Sequence, residues 1–393
     1  MKRPIVITLL VIALAFVCLG IGAVIFFTAN GGFPTNNPFD RRNISSELEE
    51  SKTLKVDTEK PLTVKVADDS GNITVTGADV KTVQVKIVKT AYDSSQSRAD
   101  QEVKGIKYTI EQTGSTITLK YELPKSMNFN NKVNTVDFIV TVPENTSVEV
   151  RANFGDIEVS KVKGTVDLSS DFGTTTMENI EGAVSVKSQS GSIKVSQVDA
   201  GKKGINLTTD FGDISLEKAS GQSLNIDSKS GSLKLEDVRL TANLVASTDF
   251  GEITLDKVIA QSYDLDSKSG FITVDGVKGK FKAYTDFGSI NIANATSVTL
   301  DVLTKSGNID FTGSLGEGPH SLHSDFGGIT LTLPADSAFN IDLSTNFGQI
   351  SSDIPVTVTG NIDEQHQVGT INGGGSNLKV ETKSGNVDIH ASK

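Results

Sequence analysis

The chain has 393 residues, 37% hydrophobic and 22% charged, with 36 Gly, only 9 Pro, one Cys and no Trp. The scarcity of Pro excludes a Pro-rich disordered protein, and a lone Cys excludes a disulfide framework, so the fold must be held by burial alone. A formal net charge of −11 disfavours nucleic acid and anionic lipid headgroups as partners and suits a soluble extracytoplasmic surface.

Behind Lys2 and Arg3, residues 5–29 form a nearly uncharged apolar run long enough to span a bilayer. The positive flank predicts a cytoplasmic N-terminus with the rest of the chain outside. The run exceeds a usual signal-peptide core and no Ala-x-Ala site follows it. Cys18 lies inside it, with Val17 and Ala15 where lipid attachment would want a small residue and Leu. Residues 1–29 are therefore expected to be a short cytoplasmic tail and transmembrane anchor, with residues 5–29 the membrane contact.

Residues 30–51 read as a linker: Gly-Gly, Asn-Asn, two Pro, then charges through Glu47, Glu49 and Glu50. Alternation begins at Thr53 and continues in Leu62, Val64 and Val66, then Ile73 and Val75 after Ser70-Gly71. Residues 92–104 read as one short helix or an irregular loop, and Thr113-Gly114 as a hairpin turn. Residues 52–150 are thus expected to be irregular opening coils with insertions, with no boundary sharp enough for a separate domain.

From residue 151 to 393 a glycine corner recurs in two dialects. Asp-Phe-Gly stands at Gly173, Gly212, Gly251, Gly288 and Gly327, and Lys/Gln-Ser-Gly at Gly191, Gly231, Gly270, Gly307 and Gly385. Asn-Phe-Gly variants stand at Gly155 and Gly348, and successive gaps between those two run from 18 to 21 residues. A helix-free period near 20 means stacked β-structure. Apolar residues alternate on both sides of each Gly and change phase there: Ile205, Leu207 and Thr209 before Gly212, Ile214 and Leu216 after it. Each unit reads as strand, corner, strand and polar turn, about 19–20 residues per coil, in an all-β parallel solenoid.

Parity then assigns the flanking residues. The residue before each Gly is expected to point inward, giving a core ladder of Phe172, Phe211, Phe250, Phe287, Phe326 and Phe347. In it Ser190, Ser230, Ser269 and Ser306 alternate with the rings. The residue two before Gly is expected outward, as a column of alternating charge from Asp171 to Asp325. The rhythm loosens after Gly348, and Asp388, His390 and Lys393 suit an exposed last strand.

The repeated G-[DSENG]-I-x-[VLIF] segments, such as Gly155-Asp-Ile-Glu-Val, Gly212-Asp-Ile-Ser-Leu and Gly307-Asn-Ile-Asp-Phe, resemble the bacterial putative-adhesin family of β-strand-repeat proteins, of undefined function. The resemblance covers roughly residues 52–393. It implies a right-handed single-chain parallel β-helix outside the cell and carries over no catalytic residues.

Chemistry is sought and not found. Five evenly spaced Asp-Phe-Gly copies exclude the kinase motif. Asp210 and Asp249 would flank Lys229, a neutralised column and no acid pair for glycoside hydrolysis. His320 and His323, three apart in extended chain, face opposite ways and make a poor chelate. The Asp recurrence lacks the nonapeptide pattern of calcium-binding β-rolls, and 5 Tyr leave few platforms for sugar rings. No catalytic, cofactor or metal residue is assigned and no enzyme is expected; a polysaccharide-acting β-helix stands as an outsider. The expectation is a membrane-anchored surface module, adhesion-like or structural, with a protein or cell-surface partner. The alternative is an envelope sensor or accessory protein that captures a ligand and works with a membrane partner.

Overall fold

The computed structural model describes residues 44–124, 132–359 and 364–392. The expected anchor at residues 5–29, and the linker before residue 44, lie outside the described residues.

Each corner glycine separates two strands: Ser223–Ser230 from Leu233–Leu240, and Asn243–Phe250 from Ile253–Asp256. Strands before the glycine pair in parallel with one another from coil to coil, as in Leu224↔Leu244 and Ile226↔Ala246. Strands after it do the same, as in Leu233↔Ile253 and Leu235↔Leu255. The result is a solenoid of two parallel ladders. Their inward residues meet in one continuous apolar core: Leu207, Ile226 and Leu265 from the first ladder, Leu216, Leu235 and Leu255 from the second. The 17-residue strand Ile290–Ser306 runs through the turn and serves both ladders, pairing through Ile290↔Ile272 and Val298↔Gly279.

At both ends of the stack the strands depart from chain order. Strands Leu62–Asp68 and Ile73–Ala78 wrap Gly71 and sit against the Gly155 coil, through Val66↔Val150 and Val75↔Val159. Later strands, Thr116–Tyr121 and Thr135–Pro143, pack on their outer side. At the other end, Ser376–Ser384 and Val387–Ser392 form a coil inserted between the Gly327 and Gly348 coils, with Val380 paired to both Leu322 and Leu343. The expected exposed last strand is therefore an interior one. Ser351 donates to Asp388 at 2.5 Å, and His390 Nδ1 lies 2.8 Å from Asp353.

The open ends are capped by antiparallel strands, which moves the free edge onto short or charge-rich strands, such as Thr109–Thr113 and Ile44–Lys55. His366–Ile371 covers Phe339–Phe347, and Thr109–Thr113 covers Thr116–Tyr121. Thr82–Asp93 covers Thr135–Pro143 and is itself covered by Ile44–Lys55. Residues 44–51, expected as linker, are thus strand. The acidic run has a basic neighbour: Glu49 meets Lys86 at 2.5 Å and Glu50 meets the buried Lys89 at 2.6 Å. The helix Gln96–Gly105 packs on these two strands through Ala99 and Val103.

The corner glycines stack directly over one another. A Cβ on Gly251 would lie 2.1 Å from the carbonyl oxygen of Gly231, and one on Gly270 would lie 1.8 Å from that of Gly251. Gly251 needs no left-handed φ; it needs the space. Gly276 is the contrasting case, with φ +75° and nothing within 4 Å of an added Cβ. Gly251→Ala should therefore cost at least ~3 kcal/mol through overpacking against backbone, and Gly276→Ala only the ~1–2 kcal/mol of the left-handed region. Denaturant unfolding of the two variants checks this, and equal losses would remove close approach as the cause.

Candidate functional site

The corner is four residues wide. Before Gly212, Thr209 is buried; Asp210, Phe211, Gly212 and Asp213 face out to different degrees; Ile214 is buried again. The ladder pairs Thr209↔Ser228 and Phe211↔Ser230 but skips Asp210 and Lys229. The backbone turns over at that skipped residue, one step earlier than parity implies. Phe211 shares sequence parity with Leu207 and Thr209 yet points the other way.

The Phe ladder is consequently not a core ladder. Phe172, Phe211, Phe250, Phe287, Phe326 and Phe347 are 45% to 77% exposed. From Gly173 on, the inward place belongs to the Ser or Thr three before each corner Gly, with Ala152 in that place before Gly155; from Gly212 on, the hydroxyl donates to the glycine carbonyl of the neighbouring coil. Thr248 reaches Gly231 O at 3.0 Å, Ser267 reaches Gly251 O at 3.1 Å, and Ser324 reaches Gly307 O at 2.9 Å. That carbonyl is walled in by the next glycine, and a phenyl ring could not satisfy it. In the first coils the buried hydroxyls of Ser170 and Ser188 lack this partner, for which the structure offers no account.

The residue after each Gly completes the corner. Asp213 Oδ1 accepts from Ser232 N at 2.8 Å, and Asn308 Oδ1 accepts from Gly328 N at 3.0 Å. Short polar residues recur there because they bond the next coil's backbone.

Beside the rings runs the charge column. Lys229 meets Asp210 at 2.7 Å, Lys268 meets Asp249 at 2.6 Å, Lys305 meets Asp286, and Lys383 meets Asp325 at 2.5 Å. Hydrogen bonds from Lys305 and Tyr284 hold the Asp286 carboxyl below the ordinary carboxylate range. Lys383 enters the column only because the Gly385 coil is inserted out of order. The same insertion sets Ser384 between Phe326 and Phe347, so the alternation of ring and hydroxyl is unbroken there. It breaks only at the start, where Phe154 and Phe172 occupy consecutive levels and stack at 5.2 Å with planes 3° apart.

The two histidines of the loosest stretch lie on opposite faces. His320 is buried; Nδ1 accepts from Leu300 N at 3.3 Å, so Nε2 carries the proton toward Gly316 O at 3.1 Å. His323 faces out, 3.0 Å from Asp325. Among the described residues no three His, Cys, Asp or Glu gather as a metal site.

At the Gly71 corner the inward place, three before the glycine, holds a strongly perturbed carboxyl. Asp68 is buried, its Oδ1 accepting from Ser70 N at 2.9 Å and its Oδ2 without a partner. Burial pushes its pKa up to about 8 from 3.8, with Asp137 and Asp69 adding to the rise. The folded state therefore holds this proton more tightly than the unfolded chain, and stability falls as pH rises from ~4 to ~8. Asp68→Asn should flatten that slope, gaining melting temperature at pH 8 and little at pH 4; an unchanged slope would contradict the assignment.

The corner assignment has its own test. Phe250→Ala should cost under ~1 kcal/mol, as a surface change. Leu265→Ala should cost ~2–5 kcal/mol through its cavity, and Thr248→Val ~1–3 kcal/mol through the orphaned Gly231 carbonyl. A Phe250→Ala loss matching Leu265→Ala would restore the inward ladder.

The Toastrack family, DUF4097, matches residues 72–256 and 223–390. No curated protein matches the chain. Among solved structures, a putative cell adhesion protein of Clostridium sporogenes ATCC 15579 is similar at 12% identity and TM-score 0.20, over 88% of this chain and 100% of that one. A putative adhesin of Bacteroides fragilis NCTC 9343 is similar at 14% identity and TM-score 0.23, over 88% and 98%. Superpositions this loose say nothing about how the corner edge is used. The paired glycine corners, the parallel ladders they join and the family match across most of the solenoid agree, and the chain belongs to the Toastrack family of β-repeat proteins.

Proposed function

We propose that this chain is a non-catalytic, adhesion-like surface module, held to the membrane by residues 5–29 with the solenoid outside the cell, and that it binds through its corner edge. The observation that carries the reading is the column of exposed rings. From Phe172 to Phe347 a phenyl stands on every second level, at ~9.6 Å intervals, flanked by alternating Asp and Lys. A regular row of exposed rings, unlike apolar residues scattered singly, favours an interaction site over a tolerated defect. Nothing in the packing requires these rings, since the core closes beneath them through Thr248, Ser267 and their equivalents. A long edge with repeated equal contacts suits an extended partner better than a small molecule.

The triple change Phe211→Ser, Phe250→Ser and Phe287→Ser tests it in the full chain on the cells that produce it. Surface attachment should fall at least tenfold while display level and melting temperature hold. Undiminished attachment would remove the edge from the function. Recovery of a soluble mature chain beginning near Asn30 would remove the anchor.

A further inference from the structure

We infer that the partner of the corner edge is the same edge of a second copy of this chain, docked antiparallel. This rests on the adhesive reading above and adds the identity and geometry of the partner.

The first argument is spacing. Rings on alternate levels leave between them a gap floored by Ser and one level deep on each side. Phe154 and Phe172, on consecutive levels, show that rings one level apart stack face to face at 5.2 Å. A second column of rings displaced by one level would fill every gap and make a continuous stack of that kind.

The second argument is symmetry. A two-fold axis perpendicular to the coil stack leaves each column facing its own counterpart and reverses the order of levels. Set between the Ser269 and Phe287 levels, it places Phe287 against Ser269 and Phe250 against Ser306. One level further out on each side it places Phe326 against Ser230, and beyond that Phe211 against Ser384. No ring meets a ring head-on in the span between Ser190 and Phe347.

The charges obey the same operation, because Asp shares its level with Phe and Lys its level with Ser at each of these corners. Lys268 comes opposite Asp286, Asp249 opposite Lys305, Lys229 opposite Asp325, and Asp210 opposite Lys383. At the outermost level Gln189 meets Asn346, two neutral amides. A parallel two-fold would set like levels together, ring against ring and Ser against Ser, and would lose the interdigitation. The residue after the corner Gly adds a third mark. It is polar or Gly at every corner except Gly270, where Phe271 stands 53% exposed. Phe271 lies beside the axis and faces Ser289 across it, so the one extra apolar side chain sits at the centre of the contact, where binding energy concentrates.

The contact is isologous and closes at two copies. It also sends the two Ile44 ends in opposite directions, as copies anchored in facing membranes would require.

The test uses the full chain in detergent with Cys18→Ser. Ser269→Cys should link to itself through a short bis-maleimide, because two copies of that level flank the axis one step apart, across an interface a phenyl ring wide and too wide for a direct disulfide. Ser190→Cys should not link to itself but should link to Phe347→Cys when the two are mixed. Phe250→Ser with Phe287→Ser should weaken dimerisation at least 100-fold in sedimentation without lowering the melting temperature. Ser190→Cys linking to itself would mean a parallel pair and overturn the inference, as would a wild-type chain monomeric at high micromolar concentration. If the wild type stays monomeric while the Ser triple variant still loses attachment, the edge binds a different partner and only this inference falls; if attachment also persists, both readings fall.

Discussion

Every level of this solenoid is set by a contact that tolerates no side chain. At each corner one glycine presses on the carbonyl of the glycine below, close enough that a Cβ would overlap it. The contact fixes where the chain may turn, and therefore which residues face outward at the turn. The carbonyl it buries needs a donor, and the nearest available group is the Ser or Thr three residues before the next glycine. Glycine, hydroxyl and outward ring are thus one unit. The ring is outside because the hydroxyl must be inside.

Much of this was legible in the chain. The period, the parallel stacking and the glycine corners follow from spacing and alternation. The direction of Phe250 did not follow, because period-2 parity holds only while the backbone stays extended, and here it turns over at Asp249. A signal existed: Ser or Thr recurs three before the glycine as faithfully as Phe and Ser alternate one before it. The inserted terminal coil also left a trace, since Phe326 and Phe347 stand in consecutive coils along the sequence and violate the alternation that Lys383-Ser384 restores. The strand at residues 44–51 was hidden because its acidic run reads as solvated until Lys86 and Lys89 are placed beside it. A second bend had no usable signal. Lys161, Asn179, Gln197, Lys218, Asp237 and Lys257, each six residues after a corner glycine, take φ between 52° and 57°. Lys and Gln hold that conformation only at ~1–2 kcal/mol each, so tertiary context imposes what propensity would never propose.

The arrangement separates the residues that stabilise the fold from those exposed along its edge. Coils contact mainly their neighbours, so the core beneath the corner is a sum of local terms along the stack. The rings and charges above it contribute little to that sum: each ion pair is exposed and worth at most ~1 kcal/mol. The edge could therefore change its side chains without endangering the fold. That it instead keeps a strict two-level rhythm, through an insertion that breaks the order of the chain, points to a demand from outside the fold.

The demand can be narrowed by asking what a two-level rhythm is good for. A flat hydrophobic partner would be served as well by a ring on every level, and the Phe154–Phe172 stack shows that consecutive rings are sterically allowed. A partner contacted by charge alone would need one sign, whereas this column cancels itself from Asp210 to Lys383. Alternation on both columns, in phase, is useful only against a surface carrying the complementary alternation at the same ~4.8 Å step. A β-solenoid of the same coil height offers that step. The same edge, reversed end for end, also offers the complementary rhythm.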